Sequence, residues 1–268
     1  MIVTDQPAYD AIRDWLSSRC GITFPEHKSA VLRQRLARVN QSFSYKDLND
    51  LAHGLLEEQK EDVQLAVMHA ASTNHTYFFR EPEVLDRFRK IVMPYLQKKR
   101  EMRIWSAAAS SGDEAYTVAV MIAEEFGEEA LSRLNILGTD ISGPVVEQAE
   151  QGVYQLKQLD KTERRLVQKY FTALNPNTFA VKDLLKSCCT FRRMNLKAQP
   201  YPFNNPFQVV FCRNILYYFD RDDQRATLEA IYEVTEPGGY LVTSVTESIR
   251  DLDTRWESVA TGIHRRAE

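Results

Sequence analysis

The sequence predicts an α/β fold, an open and largely parallel sheet with helices on both faces, preceded by an all-helical domain. Three observations predict it. The first seventy or so residues carry helical apolar spacing with no alternating β-branched run. From about residue 84 short apolar strands alternate with helical stretches. The loops between them are short, as parallel crossovers require.

In the helical domain Tyr9, Ile12, Trp15 and Leu16 keep helical spacing, as do Leu32, Leu36 and Val39, and then Leu48, Leu51, Ala52 and Leu55. A small bundle is the economical way to bury such stripes. In the second domain Met102 to Ser106 reads as a buried strand, followed by a small-residue loop and a helix from Asp113 to Phe126. Leu134 to Asp140 is a second strand, and the helix after it carries Val145, Val146 and Ala149. Phe207 to Cys212 is a third, bounded upstream by Pro206. A helix from Asp222 to Val234 ends at Pro237-Gly238-Gly239, and Tyr240 to Val245 is a fourth strand. The stretch from Tyr170 to Arg193 breaks this rhythm. Its β-leaning pieces, Thr178 to Val181 and Cys189 to Phe191, are expected to form a small hairpin standing off the main sheet. The expected division is a helical domain over 1–71, a junction over 72–84, and a sheet domain over 85–268 with an insertion near 170–193.

Composition excludes several function classes. Of 268 residues, 44% are hydrophobic and 26% charged, so the chain has the apolar content for a core and is no disordered tail. The 34 basic and 37 acidic residues give a net charge of −3, so no global basic field calls for nucleic acid. The apolar runs are short and interrupted, so no membrane insertion is expected. Met1 to Asp5 has neither the basic nor the apolar region of a secretory signal, and Cys20, Cys188, Cys189 and Cys212 lack framework spacing. The expected compartment is the reduced cytoplasm. Five histidines and four cysteines show no ligand spacing, so no metal is expected. The adjacent pair Cys188-Cys189 has no explanation in the pattern, and Cys212 reads as strand packing.

Open α/β sheets bind ligands at the carboxyl ends of their strands. The loop after the first strand, Ser106-Ala107-Ala108-Ala109-Ser110-Ser111-Gly112, is made of small residues, so a ligand can approach its backbone. It lacks the G-x-G-x-x-G fingerprint, and Asp113 and Glu114 stand where a pyrophosphate would sit. A cofactor with a positive end fits better, and S-adenosylmethionine, with a sulfonium, an ammonium and no phosphate, is such a cofactor. Asp140 ends the second strand, where an acid pairs with a ribose diol. Taken alone it is equally a cap for the helix after Ser142; with the loop, the ribose reading prevails. The third strand runs into Arg213-Asn214-Ile215-Leu216-Tyr217-Tyr218-Phe219, which places a cation and an amide at a strand end. Upstream of the sheet, Ser72 to Glu81 interleaves polar and aromatic residues, either a cleft lining or a capped helix start with an apolar anchor. Between His27 and Lys46 there is no acid, while Lys28, Arg33, Arg35, Arg38 and Lys46 are basic. That helix is a solvated face or a dock for an acidic partner.

These residues together resemble the chemoreceptor glutamate methyltransferase (CheR) family. The matching stretches are Ser72-Thr73-Asn74-His75-Thr76-Tyr77-Phe78-Phe79-Arg80-Glu81, Ile104 to Tyr116, Gly138-Thr139-Asp140-Ile141-Ser142, Gly152-Val153-Tyr154, Met194-Asn195-Leu196, and Phe211-Cys212-Arg213-Asn214 through Tyr218-Phe219. They follow the family's order along nearly the whole chain. The resemblance implies a helical N-terminal domain on a class I S-adenosylmethionine-dependent methyltransferase (Rossmann-like) sheet with a small antiparallel β-subdomain. It implies cofactor contacts from Asn74, Thr76 and Arg80, from Glu114 to the amino-acid end, and from Asp140 to the ribose. Asn195 and Leu196 frame the adenine side, Arg213 and Asn214 complete the pocket, and Arg80 and Tyr218 lie nearest the transferred methyl and are the catalytic pair. Where the family has Gly-Glu-Glu-Pro-Tyr-Ser this chain has Gly112-Asp113-Glu114-Ala115-Tyr116-Thr117, keeping the second acid. The family's His-Ser-Glu-Asn is set against Thr246-Glu247-Ser248-Ile249, a departure that leaves this loop without an expected role.

The implied reaction moves a methyl group from S-adenosylmethionine to the γ-carboxylates of methyl-accepting chemoreceptors, releasing S-adenosylhomocysteine. Arg33, Arg35 and Arg38 are then the substrate-docking residues. The matching β-subdomain stretch, Phe171 to Thr178, is short and lacks glycine, so docking is expected to be independent of a receptor's C-terminal pentapeptide. The rival from another class is a non-catalytic S-adenosylmethionine-sensing module. An enzyme methylating a small acid or a nucleic acid is disfavoured by the basic helix and the near-neutral charge.

Overall fold

The computed structural model describes residues 5–72 and 76–268. The helical domain contains α1 (Gln6–Cys20), α2 (Ser29–Phe43), α3 (Leu48–Ala52), which runs on as a widened turn over His53–Glu57, and α4 (Glu61–Ala71). Pro7 stands in the first turn of α1, and Gly21, in the left-handed conformation at φ 73°, ends it. Asp47 caps α3 by accepting the Asn49 and Asp50 N–H groups. The apolar stripes read from the sequence meet in one core that includes Ile12, Leu16, Leu32, Leu36, Leu51 and Leu55.

A second helix pair, α5 (Pro82–Arg87) and α6 (Met93–Gln97), is joined by a widened turn over Phe88–Val92 and leads into the sheet domain. There follow β1 (Met102–Ala107), α7 (Asp113–Phe126), β2 (Leu134–Asp140), α8 (Gly143–Gln151), β3 (Val153–Gln155), α9 (Arg164–Tyr170), β4 (Phe171–Asn175), β5 (Thr178–Val181), α10 (Asp183–Lys186), β6 (Cys189–Arg193), β7 (Phe207–Cys212), α11 (Arg221–Val234), β8 (Thr235–Val242), β9 (Glu257–Ala260) and β10 (Ile263–Arg265). The main sheet has the order β6-β2-β1-β7-β8-β10-β9, and β3, β5 and β4 form a separate antiparallel sheet. The first five strands of the main sheet pair in parallel, and β10 and β9 add an antiparallel edge. One core lies on the α7 face of the sheet and another on the α11 face, so both faces are covered.

Three boundaries differ from those read in the sequence. Cys189–Arg193 is no part of a hairpin. It pairs in parallel with β2, Phe191 lying opposite Gly138. The ring occupies the space a Gly138 side chain would take, since a Cβ there would sit 2.5 Å from it. The insertion sheet instead draws its third strand from Val153–Gln155, so the β-subdomain begins well before residue 170. The fourth parallel strand begins at Thr235 and runs through Pro237-Gly238-Gly239, where the register shifts opposite Phe207 and Val209. A bulge tolerates a proline that a regular ladder would exclude. Cys188, Cys189 and Cys212 are free thiols, and Cys212 is buried within β7 as its pattern indicates.

Candidate active site

The paired ends of β1, β2 and β7 set Ala107 level with Thr139 on one side and Cys212 on the other. Their following loops therefore rise together at the point where connections part to either side of β1, the usual ligand site of an open α/β sheet. A solvent-open cavity lies there, lined by residues of all three loops.

The small-residue loop is strained in the service of this cavity. Ala108 and Ser110 have φ of 63° and 49°, and Gly112 has 86°. Of the eight described non-glycine residues with positive φ, five (Phe79, Glu81, Ala108, Ser110 and Asn214) belong to the segments that build the cavity. Such strain concentrates where geometry serves a site. The twisted loop turns the Ser110 N–H onto Asp140 Oδ2 at 2.9 Å, and Ser142 N–H reaches Oδ1 at 3.0 Å. Asp140 thus holds two loops together and is not the capping residue of α8, whose cap position is Ser142. Burial raises its pKa, and the Ser142 and Ser110 amides oppose that rise. Each carboxylate oxygen keeps a lone pair for a diol hydroxyl. Ser110 Oγ is buried on the cavity with no hydrogen-bond partner among the described residues.

The two acids that open α7 part company. Asp113 is fully buried and turned away from the cavity, where it accepts from Ser111 Oγ at 2.7 Å and Gln158 Nε2 at 3.2 Å. Glu114 lines the cavity, accepts from Ser106 Oγ at 2.7 Å, and pairs with Arg213 Nη1 at 3.0 Å. Arg213 Nη2 also reaches the Arg80 carbonyl at 2.6 Å and Glu81 at 3.3 Å. Glu81, missed in the sequence reading, further accepts from Asn214 Nδ2 and Ser244 Oγ, each at 2.8 Å. Burial pushes the Glu81 pKa up, but these donors and Arg213 outweigh it and hold the group below its usual value. Glu81, Arg213 and Glu114 carry one more negative than positive charge, which suits a ligand with a positive end.

The loop near residue 247 does have a role. Glu247 is buried and accepts the N–H groups of Asn214 at 2.7 Å and Leu216 at 2.8 Å, fixing the turn after β7. Set one residue earlier, on Val245-Thr246-Glu247-Ser248, the motif His-Ser-Glu-Asn has its acid at Glu247.

Nine of the ten residues expected at the cofactor or the methyl, Thr76, Arg80, Glu114, Asp140, Asn195, Leu196, Arg213, Asn214 and Tyr218, line this one cavity. The tenth, Asn74, lies outside the described residues. The junction reaches the cavity because Phe78 packs edge-on against Tyr154 and Phe171 of the small sheet, while Phe79 and Glu81 adopt positive φ on either side of Arg80. The helical domain also contributes wall: Cys20 and Ile22 line the cavity, and Asn195 Nδ2 donates to the Arg19 carbonyl at 2.8 Å. His69 Nδ1 of α4 lies 2.5 Å from Ser142 Oγ, beside the Asp140 loop. No sequence signal marked these, because the domain boundary was drawn between them and the sheet.

The three arginines of α2 are in different situations. Arg33 pairs with Asp5 at 2.8 Å, donates to Gln6 and covers the Tyr9 ring. Arg35 Nη1 donates to the carbonyls of Ala70, Ala71 and Ser72 at the end of α4. Arg38 is exposed.

Comparison with known proteins places the chain in a family. The model of the CheR methyltransferase all-alpha domain matches residues 7–67, and that of the CheR methyltransferase SAM binding domain matches residues 74–264. The chemotaxis protein methyltransferase of Borreliella burgdorferi is 32% identical, with 86% of this chain and 84% of that protein covered. Chemotaxis protein methyltransferase 1 of Vibrio cholerae is 32% identical over 96% of this chain and 94% of its own length.

Proposed function

The chain belongs to the CheR methyltransferase family, S-adenosylmethionine-dependent enzymes, and on that premise we propose how its cavity methylates glutamate γ-carboxylates of methyl-accepting chemoreceptors. The observation that carries this reading is the convergence of Arg80, Glu114, Asp140 and Tyr218 on one cavity that opens to solvent, where a protein side chain can enter.

S-Adenosylmethionine, when bound, supplies an electrophilic methyl on a sulfonium. Asp140 and the free hydroxyl of Ser110 suit its ribose, and Glu114 suits its ammonium, being held in place by Ser106 and Arg213. Asn195 and Leu196 take the adenine side, with Thr76, Asn214 and Asn74 as further contacts. The acceptor glutamate, with an ordinary pKa of about 4.3, is already ionised at neutral pH, so the chain needs no general base. Its residues have to place the carboxylate in line and strip part of its water. Arg80 holds the acceptor or the cofactor by charge-assisted hydrogen bonds, and Tyr218 orients the acceptor oxygen. A donor is required there, because an unpaired desolvated carboxylate would take up a proton and lose its nucleophilicity. No metal has a part in this scheme.

The helical domain over 1–71 docks the receptor's cytoplasmic helices, the junction over 72–84 lines the pocket, and the enzyme works in the cytoplasm without a pentapeptide tether. The test is incubation with tritiated S-adenosylmethionine and receptor-containing membranes. Transfer to receptor protein, with the label released as methanol in mild base, is the expected result. Cofactor binding without transfer would favour the sensing module.

A further inference from the structure

The turn that carries Tyr218 is clamped from two sides. From the sheet domain, Glu247 accepts the Asn214 and Leu216 N–H groups. From the helical domain, Thr23 donates twice to the Tyr218 carbonyl, its N–H at 2.9 Å and its Oγ1 at 2.8 Å. The partners are 195 residues apart, and the two donors occupy both lone pairs of one oxygen. The approach is close because residue 21 is glycine: a Cβ there would lie 2.7 Å from the Phe219 ring. On either side of this contact Ile22 and Tyr218 both line the cavity.

We propose that Thr23 is a positioning residue for methyl transfer, the helical domain's own contribution to the active site, acting through the backbone of Tyr218. The inference rests on the methyl-transfer reading above. A carbonyl held by two donors cannot rotate its peptide plane without losing both, and the direction of the Tyr218 side chain follows that plane. Within the turn the Tyr218 N–H donates to the Ile215 carbonyl and the Phe219 N–H to that of Leu216, each at 3.0 Å, and Thr23 adds the hold on the Tyr218 carbonyl. The helical domain therefore does more than recognise a partner: it sets the angle at which the tyrosine meets the acceptor.

Thr23→Val keeps shape and N–H and removes the hydroxyl donor; Thr23→Ser keeps the hydroxyl. On receptor membranes Thr23→Val should lower kcat about fivefold, the worth of one neutral hydrogen bond. The acceptor KM and the affinity for S-adenosylhomocysteine should change less than about twofold. Thr23→Ser should restore kcat, and Thr23→Val should have no further effect in a Tyr218→Phe background. Wild-type kcat in Thr23→Val, loss that serine does not restore, or an equal further loss in the Tyr218→Phe background would each overturn the proposal. A readout without activity separates it from the reading it rests on. With 3-fluorotyrosine at position 218, the fluorine resonance should shift or broaden in Thr23→Val and return in Thr23→Ser. An unchanged resonance overturns the positioning role, whereas a wild type that transfers no methyl overturns the methyl-transfer reading alone.

Discussion

Arg213 and Glu114 form a buried ion pair at 3.0 Å, with side chains only 3% and 14% exposed. The same guanidinium faces Glu81 at 3.3 Å, so one cation compensates two carboxylates across the cavity wall. Removing it takes this counter-charge from both, leaving each its neutral donors, Asn214 and Ser244 on Glu81 and Ser106 on Glu114. Arg213→Met should destabilise the fold by about 3–5 kcal/mol, as breaking a buried pair from one side does. A loss in urea denaturation below about 1 kcal/mol would mean the network is hydrated and of little weight.

Asp140 joins the loop after β1 to the loop after β2, and two amides already occupy part of its carboxylate. Asp140→Ala should weaken binding of S-adenosylhomocysteine by about 1.5–3 kcal/mol, the range for a hydrogen bond to a charged group. Asp140→Asn, which keeps one acceptor, should lose less. Calorimetry giving wild-type affinity for Asp140→Ala rejects the ribose assignment.

Asp113 offers a pH test. Burial raises its pKa from 3.8 to about 6, against the hydrogen bonds from Ser111 and Gln158. An acid whose folded pKa lies above its unfolded value binds its proton more tightly in the native state. Its contribution to stability is therefore complete below about pH 4 and lost as pH rises through about 6. The lost contribution is about 3 kcal/mol from the size of the shift. Asp113→Asn cannot titrate, so its stability relative to wild type should rise by roughly that amount between pH 4 and pH 7. Parallel stability curves for the two proteins over that range would refute the assignment.

The sequence was most legible where burial and pattern agree. The strands Leu134–Asp140 and Phe207–Cys212 and the helix Asp113–Phe126 fall where their apolar runs place them. It misled where pairing, not pattern, decides. Pro237-Gly238-Gly239 spells a turn but lies in a strand, because a bulge opposite Phe207 and Val209 relieves the ladder. Cys189–Arg193 joins the main sheet because Gly138 leaves room for Phe191, a fit no local window contains. The C-terminal hairpin of β9 and β10 has few apolar residues to announce it. In the site, residues at strand ends were readable because the sheet itself aligns them. Glu247 and Thr23 were not, since each acts on backbone groups far along the chain.

The α2 arginines should separate in experiment as they do in the fold. Arg35→Ala removes the donor shared by three carbonyls at the end of α4 and should cost about 1–2 kcal/mol of stability. Arg33→Ala should also destabilise, through its contacts with Asp5 and Tyr9. Arg38→Glu, on the exposed face, should leave stability within about 0.5 kcal/mol. It should raise the acceptor KM and flatten its salt dependence. An unchanged KM at low salt would make α2 an ordinary solvated face.

Tethering tests the small sheet. Its edge strands are β3 and β4 in the order β3-β5-β4, and β4, five residues against three, is the longer edge to which a C-terminal peptide could add as a strand. That edge is poorly built for addition. The register slips between Ala173 and Asn175, leaving Leu174 as an extra, 57% exposed residue on the edge strand. Bulges at edges interrupt the row of free amides and carbonyls that a new strand must match. The connection to β5 is only Pro176-Asn177, pinned by the Asn177 N–H on Asn175 Oδ1 at 2.9 Å, with no glycine to open it. We therefore expect no binding of a receptor C-terminal pentapeptide at this edge. Titration calorimetry should register no heat at about millimolar peptide, a level that corresponds to only ~4 kcal/mol of binding. Micromolar binding, lost when Leu174 is replaced by proline, would show that the edge accepts a strand despite its bulge.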